Sequence, residues 1–381
     1  MTLFDFLVKY TMDFTQLSDE ELLRKKRDLE YDISKYHNFQ LVRKVQLNSA
    51  YGALGNNYFR FYSTDLAEAI TLSGQLAIQW IGLRLNELIN QVTSTKNQDY
   101  VIASDTDSVY LNLSGIVRKF AGTRPITDKV DYVDNASKKI ILPFIEKEFD
   151  VLSGMMNSYE NHIKMAREVI ADKGVWTAKK RYMLNVWDSE GVRYNQPKQK
   201  IQGIESTRSS TPEVVRKELK GAIGIILNKS ENEIIEFVED FHRRFVKMKP
   251  EEISFPRSVN GLDKYKDSSQ IYKKGTPIAV KAALLYNHYI KEMKLTGKYN
   301  LIMEGEKIKF VYLKRPNPIA GMYGEDCVIG FPSKLPKEFD IDQYIDRDKQ
   351  FEKAFLDPLI TILNAIGWKH ERRNTIESLF I

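Results

Sequence analysis

Two carboxylates separated by one residue stand in a short polar turn between two apolar runs. Asp105 and Asp107 follow the run 101–103 and precede the run 109–111. Short apolar runs around a tight polar turn predict a β-hairpin with both acids at its tip. Two acids this close repel each other unless a positive charge balances them, and Mg²⁺ typically takes one or two protein carboxylates together with water and phosphate. The pattern therefore indicates a Mg²⁺ site, and the alternative is an exposed acidic turn without an ion.

A second group of chemically capable residues lies in the segment 41–56. Lys44, Asn48 and Tyr51 are spaced by four and three, so a helix would place them on one face, bordered by Gly52. Glycine inside a helix costs about 1 kcal/mol and is often kept where another group approaches closely. A lysine, an aromatic ring and a glycine would suit a bound nucleotide. The alternative is a helix–helix contact through the glycine, beside a surface lysine.

A third group is basic. The segment 173–208 holds eight Lys or Arg against three Asp or Glu. The pattern of residues 168–187 predicts two strands joined by a turn at 172–174. The second strand would carry a basic and aromatic run, Lys179, Lys180, Arg181 and Tyr182. Strand alternation would then put Lys180 and Tyr182 on one face, which suits the backbone or minor groove of duplex DNA. The alternative is a charged edge strand that prevents aggregation.

The elements that must position these groups are mostly helical. Ser18 and Glu21 have the spacing of a capping box ahead of the helical run 22–35. Apolar residues of 63–90 recur at steps of three, four and seven, which predicts one helix that backs the hairpin, and a second helical region is expected over 129–163. Apolar residues of the segment 41–56 are expected to form a buried side, namely Leu41, Val45, Leu47 and Leu54.

A junction of small polar residues precedes the last third of the chain. A helix is expected to begin near Thr211, with Pro212 in its first turn, followed by helices over 214–228 and 231–246. The run 308–313 predicts a strand. At the junction, Arg208 and Ser209 either contact DNA phosphates or simply form the helix entry.

Composition narrows the class of protein. A chain of 381 residues is too long for one core, so two or three domains are expected. The net charge of +6 favours a polyanionic partner. Cys327 is the single cysteine, so no intrachain disulfide or zinc cluster is expected. No signal peptide and no run of about 18 apolar residues is found, so we expect no membrane association and a cytoplasmic location.

Two of these motifs together resemble the family B DNA polymerases. Lys44-x-x-x-Asn48-Ser49-x-Tyr51-Gly52 resembles the fingers motif of that family, and Asp105-Thr106-Asp107-Ser108 resembles its palm motif, in the same order. Lys180-x-Tyr182 resembles the Lys-x-Tyr sequence with which such enzymes contact primer–template DNA. The segments are most similar to replicative polymerases of T-even-type phages, and a phage origin would place the protein in the host cell cytoplasm.

The resemblance implies a fold and a division into domains. The fold would be α+β, with a palm whose antiparallel sheet is backed by helices, a helical fingers arm and a mostly helical thumb. The fingers part would take residues 1–60, the palm with its catalytic hairpin 61–203, the thumb 204–370 and a tail 371–381.

The resemblance also implies a chemistry, the transfer of a nucleotide from a dNTP to a primer 3′-hydroxyl by a two-metal mechanism. Asp107 and Asp105 would bind Mg²⁺, and Lys44 would bind the triphosphate. The pocket for the nascent base pair would be formed by Asn48, Tyr51 and Gly52. DNA would be held by the basic residues and their neighbours, Lys179, Lys180, Arg181, Tyr182, Arg208 and Ser209.

The resemblance covers only the later part of such an enzyme. We find no exonuclease region and no palm motif of the Asp-x-x-Ser-Leu-Tyr-Pro type, which supplies the other metal-binding acid. Together with the initial methionine this implies a naturally divided polymerase that needs a separate N-terminal half, and an internal fragment is the alternative. A competing function is a non-catalytic subunit that binds DNA and tethers it to a sliding clamp.

The last residues are hydrophobic after a basic stretch. Phage relatives end in a similar peptide that docks on the sliding clamp, which implies that Ile376, Leu379 and Phe380 insert into a groove of the clamp. The alternative is a terminal turn folded onto the thumb.

Overall fold

The structure, a computed structural model, describes residues 17–319 and 327–372. The chain forms two compact units. The first comprises residues 1–112 and 147–162, and the second comprises residues 113–146 and 163–381. Both contain helices and antiparallel strands, which confirms the α+β class. None of the helices in the described ranges is long and apolar enough to cross a membrane.

The first unit begins with a single long helix, α1 (Asp19–Leu54). Its predicted capping box is confirmed, because Ser18 N donates to Glu21 Oε2 at 2.9 Å and Glu21 N donates to Ser18 Oγ at 3.4 Å. The helix runs through both segments that the sequence divided. No side chain of α1 is buried by the part of the chain that the structure describes.

The expected buried side of α1 is therefore wrong within the described residues. Leu41, Val45 and Leu47 are exposed, and Leu54 is only half-buried. The physical reason is that periodicity reports which side chains favour burial, whereas burial itself requires a second element to cover them.

Helix α2 (Thr64–Thr93) follows and confirms the predicted helix. Its first turn is capped by Ser63 Oγ, which accepts from Leu66 N at 3.3 Å. The buried residues recur every four positions and so lie on one face, Ala77, Ile81, Leu85 and Ile89. This face packs against the hairpin formed by β1 (Val101–Asp105) and β2 (Ser108–Leu111), so the predicted backing helix and hairpin are both confirmed.

The region after the hairpin contains several short helices. They are α3 (Ser114–Ala121), α4 (Ile126–Ala136), a π-helical turn (Ser137–Ile141) and α5 (Leu142–Met155). The helical region expected over 129–163 is confirmed up to Met155, where α5 ends, and is wrong beyond it. Asn157 adopts a left-handed φ of 53°, and its N–H donates to the carbonyl of Gly154 at 3.1 Å. A left-handed asparagine is a common way to end a helix.

Three antiparallel strands of the second unit, in the order β3-β4-β5, form its basic sheet. They are β3 (Val169–Ala178), β4 (Arg181–Ser189) and β5 (Val192–Gln202). The expected turn at 172–174 is wrong, because β3 continues through it and pairs Gly174 with Leu184. A Cβ on Gly174 would lie 2.7 Å from Leu184 Cδ2, so this glycine provides room for packing on the sheet.

A buried ion-pair network fixes the far end of this sheet. Arg167 contacts the carboxylates of both Asp134 on α4 and Asp188 on β4, and all three side chains are largely buried. Arg193 on β5 approaches Asp188 at 3.3 Å and Asp134 at 3.3 Å. Buried charges are tolerated when they are paired and hydrogen-bonded, so this network joins α4 to the β4–β5 turn.

The remaining elements surround one hydrophobic core. The helices are α6 (Glu213–Asn228), α7 (Glu231–Phe245), α8 (Pro250–Ile253), α9 (Leu262–Tyr265), α10 (Ile278–Glu292), α11 (Arg347–Phe351) and α12 (Asp357–Ile366), with a π-helical turn over Glu352–Leu356. The strands are β6 (Phe255–Ser258), β7 (Lys266–Asp267), β8 (Ile271–Tyr272), β9 (Lys307–Tyr312) and β10 (Val328–Phe331). Helix α10 packs on the sheet β10-β9-β6. The helices expected over 214–228 and 231–246 and the strand expected over 308–313 are confirmed.

Candidate functional site

The two hairpin acids lie at the junction of β1 and β2. Asp105 is the last residue of β1 and pairs with Ser108, so the turn consists of Thr106 and Asp107. The turn is tight, because Asp107 N donates to the carbonyl of Asp105 at 2.6 Å and Thr106 has a left-handed φ of 55°. Asp105 is half-buried and Asp107 is exposed. The structure thus places both carboxylates in one turn, as the sequence predicts.

Hydroxyl groups in the turn bond to Asp105. Thr106 Oγ1 donates to Asp105 Oδ1 at 3.1 Å, and Ser108 Oγ donates to the carbonyl of Asp105 at 3.1 Å. The bond from Thr106 limits the rotation of the half-buried carboxylate of Asp105, and the bond from Ser108 closes the turn.

The base of the hairpin is anchored on α2 by one amide. Asn86 Oδ1 accepts from the backbone N–H of Tyr100 at 2.7 Å and from that of Val101 at 3.2 Å. The buried Tyr100 bonds through its hydroxyl to Thr93 Oγ1 at 2.9 Å and to Thr95 Oγ1 at 3.0 Å. A two-residue turn on an anchored hairpin leaves the acids little freedom to separate.

The donor set at the tip fits Mg²⁺ in chemistry and in number. Carboxylate oxygens are the ligands that this ion prefers, and one or two of them suffice when water and phosphate complete the shell. Residues 17–319 and 327–372 contain no group of three or more His, Cys, Asp or Glu side chains that could hold a metal alone. A metal at Asp105 and Asp107 would therefore need ligands from a substrate, from water or from further polypeptide.

The candidate nucleotide-binding residues lie on the last third of α1. Lys44, Asn48, Tyr51 and Gly52 are all exposed. A Cβ added to Gly52 would meet no atom within 4 Å, so the described residues do not form the helix–helix contact that the sequence left as an alternative. Helix α2 packs against both α1 and the hairpin, and it is the common support for these residues and the acids.

In the second unit the basic residues surround a turn instead of lining a strand. Lys179 and Lys180 form the β3–β4 turn and are exposed, and Lys180 has a φ of 62°. Strand alternation therefore does not apply to Lys180, and the expected shared face with Tyr182 is wrong. The turn lies against Gly203, where an added Cβ would be 2.1 Å from the carbonyl oxygen of Lys180.

Glu205 joins two of the predicted DNA-binding arginines. Arg181 donates twice to it, from Nη1 to Oε1 at 2.8 Å and from Nη2 to Oε2 at 2.7 Å, and Arg208 Nη1 lies 3.8 Å from Oε1. Burial is the largest single influence on the pKa of Glu205 and raises it, but the hydrogen bonds from Arg181, a backbone hydrogen bond and the charges of Arg181 and Arg208 together hold this pKa below its usual value. The same hydrogen bonds raise the pKa of Arg181.

The structure thus brings the β3–β4 turn together with the junction after β5. Arg208 Nη2 also donates to the carbonyl of Gly203 at 3.1 Å, and Ser209 beside it is exposed. Arg257 donates to the carbonyl of Ser210, and its pKa is lowered by burial and by the nearby Arg208. This group of charges is the basic turn site, formed by Lys179, Lys180, Arg181, Glu205 and Arg208.

The side chain of Tyr182 packs within the second unit. It is buried, and its ring lies 6.0 Å from that of Trp176 on the neighbouring strand. A contact of Tyr182 with DNA stays a prediction. The proposed clamp-binding residues Ile376, Leu379 and Phe380 lie outside the described residues.

Two residues that organise the candidate sites could not be predicted from the sequence. Asn86 anchors the hairpin and Glu205 organises the basic turn site, yet each is an ordinary polar residue without a motif. Glu205 carried one signal, since it stands three residues before Arg208 in a basic stretch.

Comparison with known proteins agrees with these features. Residues 20–144 match the model of the family described as DNA polymerase family B. The chain is 34% identical over 355 residues to a DNA-directed DNA polymerase of Enterobacteria phage T4, and 35% identical over 358 residues to one of Escherichia phage RB69. Each similarity covers 90% of this chain and 38% of the relative. A catalytic subunit of DNA polymerase alpha from Trypanosoma brucei brucei is 30% identical over 172 residues, which is 44% of this chain and 10% of that protein.

The chain thus spans less than half the length of the two phage relatives. The matched residues 20–144 include α1, α2 and the acidic hairpin, while the phage similarities extend over most of the chain. From its motifs, its fold and these similarities, the chain belongs to DNA polymerase family B and is of the T4 type.

Proposed function

We propose that this chain is part of a DNA-directed DNA polymerase and carries one side of its nucleotidyl-transfer site. The observation that carries the proposal is the acidic hairpin, with Asp105 and Asp107 in one turn on an anchored support, within a segment that matches family B. The substrates would be a dNTP and a primer–template DNA, as the names of the phage relatives suggest.

Each group in the proposed site has one task. Asp107 and the half-buried Asp105 would hold Mg²⁺, which supplies charge stabilisation at the triphosphate and at the primer hydroxyl when bound. The cationic Lys44 would neutralise the triphosphate from the exposed face of α1, and its ammonium group could give a proton to the leaving pyrophosphate. Asn48, Tyr51 and Gly52 would shape the adjacent pocket around the incoming base.

We propose further that the site needs a second polypeptide, corresponding to the N-terminal half expected from the sequence. A two-metal transfer requires acids on both sides of the reacting phosphate, and the described residues offer one acid pair and no group of three metal ligands. The partner would provide the other palm carboxylate and the exonuclease.

The DNA would be held by the basic turn site. Lys179 and Lys180 are exposed at a turn, where their ammonium groups can reach phosphates, and Arg208 lies beside them across Glu205. Contacts of this kind fix the position of a duplex without reading its sequence. Tethering to a sliding clamp through Ile376, Leu379 and Phe380 is part of the same proposal.

The test is primer extension with the two polypeptides mixed. The partner is the product of a reading frame in the same genome that carries the exonuclease acids and the Asp-x-x-Ser-Leu-Tyr-Pro motif. We expect Asp107→Asn to reduce extension at least about a thousandfold, because it removes a charge that acts in the transition state. The control is Glu190→Gln, an exposed acid in another hairpin turn of this chain, which should leave the rate unchanged.

Three results would contradict the proposal. Extension that survives Asp107→Asn would remove the catalytic assignment and favour a DNA-binding and clamp-tethering subunit. Robust extension by residues 1–381 alone would remove the need for a partner. Deletion of 373–381 without any effect on clamp-dependent synthesis would remove the tail from the clamp contact.

A further inference from the structure

Exposed hydrophobic side chains are distributed unevenly between the two units. Among the described residues of the second unit, the large hydrophobics that are exposed are Phe120, Ile140, Ile163, Val192, Met293 and Met303. The first unit exposes such side chains along α1, along α2, in the loop between them, on β1 and in the last turns of α5 and the residues that follow. When exposed apolar side chains lie together, they mark a place where another molecule binds.

One apolar face of helix α2, called the α2 stripe below, contains both exposed and buried side chains. Leu66 and Ile70 lie on the same helical face as Ile81 and Leu85, by their spacing of four, eleven and four. Leu66 and Ile70 are 56% and 50% exposed, whereas Ile81 and Leu85 are 0% and 1% exposed. One apolar face is therefore buried in the second half of the helix and bare in the first half.

The elements that cover the second half are identified by their contacts. The hairpin packs against α2. Residue Glu148 on α5 receives hydrogen bonds from Trp80 Nε1 at 3.2 Å and from Arg84 Nε at 2.8 Å. Within the described part of the chain, nothing comparable buries Leu66 or Ile70.

Helix α1 and the hairpin give independent evidence that the described residues of this unit leave apolar surface uncovered. Among the residues that the structure describes, the 36-residue helix α1 has no buried side chain, whereas most helices in proteins depend on packing of an apolar face. The hairpin forms a two-stranded sheet with no further strand in the described ranges, and a sheet of two strands is marginally stable by itself. Ile102 on β1 is exposed.

We propose that the first half of α2, at Leu66 and Ile70, is the docking surface for the second polymerase polypeptide. The similarity covers only 38% of each phage relative, so more than half of a polymerase of this type lies outside the aligned part and is available to cover this surface. A partner that also supplies an acid to Asp105 and Asp107 must contact this unit, and the bare stripe belongs to the helix that supports the hairpin. The inference rests on the proposed function for the identity of the partner.

The test is the affinity of the full chain for the separately produced partner, the genome-encoded polypeptide that carries the exonuclease acids. The variant is Leu66→Glu with Ile70→Glu. Burying each large apolar side chain contributes at least a factor of about ten to binding, so the double variant should bind at least about a hundredfold more weakly. Both positions are exposed in a helix, where glutamate is well tolerated, so the variant should fold normally by circular dichroism.

The matched control is Met293→Glu with Met303→Glu, which places the same two charges on exposed hydrophobics of the second unit. It should bind the partner as tightly as the unmodified chain. Hydrogen exchange of the complex should show slower exchange over 64–76, where the free chain should exchange faster than over 77–93.

Each contrary outcome has a definite meaning. Equal loss of affinity in both double variants, or protection confined to other segments, overturns this surface. Self-association of the free chain that is abolished by Leu66→Glu with Ile70→Glu assigns the stripe to a second copy and also overturns it. Faster exchange over 64–76 after deletion of residues 1–16 shows that the chain's own start covers the stripe, which overturns it as well.

Failure of this inference can be told apart from failure of the proposed function. If Leu66→Glu with Ile70→Glu leaves the partner's affinity unchanged while Asp107→Asn still abolishes extension by the mixture, the docking surface is wrong and the polymerase assignment stands. If extension survives Asp107→Asn, the catalytic assignment falls whatever the docking data show.

Discussion

Replacing Glu205 by glutamine should separate two effects of this residue at the basic turn site, namely its contribution to the stability of the fold and its competition with DNA phosphate for Arg181. The substitution keeps the shape of the side chain but removes the charge that receives both hydrogen bonds from Arg181. Both side chains of the pair are 22% exposed, which lies between a surface pair and a buried one. Surface pairs contribute about 0–1 kcal/mol, and breaking buried ones costs about 3–5 kcal/mol. We therefore expect a loss of about 2 kcal/mol in the free energy of unfolding.

That loss can be measured by thermal unfolding. For a unit of this size, 1 kcal/mol corresponds to a shift in Tm of about 2–4 °C, so Glu205→Gln should lower Tm by about 4–8 °C. Glu236→Gln is the matched control, since Glu236 is an exposed acid on α7 of the same unit. Its Tm should stay within about 2 °C of that of the unmodified protein.

The pH dependence of the loss has a definite sign. The pKa of Glu205 in the folded protein lies below the ordinary value of 4.5. A carboxylate with a lowered pKa stabilises the fold at neutral pH, and this contribution is lost as the pH falls below about 4.5 through the folded-state pKa. The difference in stability between Glu205→Gln and the unmodified protein should therefore be constant near pH 7 and shrink on acidification.

The affinity of Glu205→Gln for duplex DNA should rise, although its stability falls. Removing the negative charge frees Arg181 for phosphate, and each added phosphate contact steepens the plot of log K against log salt by about 0.9. At low salt Glu205→Gln should therefore bind more tightly than the unmodified chain. Weaker binding with an unchanged slope, or a Tm equal to that of the unmodified protein, would refute the reasoning.

Three further substitutions test the support of the basic turn site, the support of the acidic hairpin and the ion-pair network at the far end of the β3-β4-β5 sheet. In urea unfolding, Gly203→Ala should destabilise the second unit by at least about 1 kcal/mol more than Gly191→Ala does. Both glycines have a positive φ, but only at Gly203 would the added Cβ meet a backbone oxygen, at 2.1 Å. Equal losses of stability in the two variants would contradict this reasoning. Asn86→Ala should cost about 1–3 kcal/mol and speed hydrogen exchange at residues 100 and 101, because two backbone N–H groups lose their acceptor; unchanged exchange at both amides would show that the hairpin is anchored elsewhere. Arg167→Met should cost about 3 kcal/mol in urea unfolding by leaving the buried Asp188 short of a cation, and a loss below about 1 kcal/mol would mean that Arg193 alone is sufficient.

The parts of the fold that the sequence predicted are those with strong local signals. The cap at Ser18, the stripe on α2 and the polar turn at Asp105 and Asp107 are each specified by residues close together in the chain, and each formed where expected. The start of α6 next to Pro212 belongs to the same class.

The errors arose where tertiary contacts decide between local alternatives. The residues Asp172 to Gly174 have the chemistry of a turn, but pairing with β4 keeps them in a strand, and the chain reverses at Lys179 and Lys180 although lysine has no preference for a left-handed φ. The position of Glu205 between two arginines depends on the approach of the loop after β5 to that turn. No local pattern encodes such an approach, except the glycine at 203 that permits it.

The left-handed backbone of Thr106 has a consequence for how the acidic hairpin can vary. A β-branched residue at a φ of 55° is strained, and asparagine or glycine would adopt this conformation at lower cost. A search for thermostable variants should therefore enrich asparagine or glycine at this position. A screen for function should recover the opposite preference if the threonine hydroxyl, which bonds Asp105, orients that acid. Neither the search for stability nor the screen for function should recover a turn of different length, because one added residue would exchange the two faces of the strand that follows.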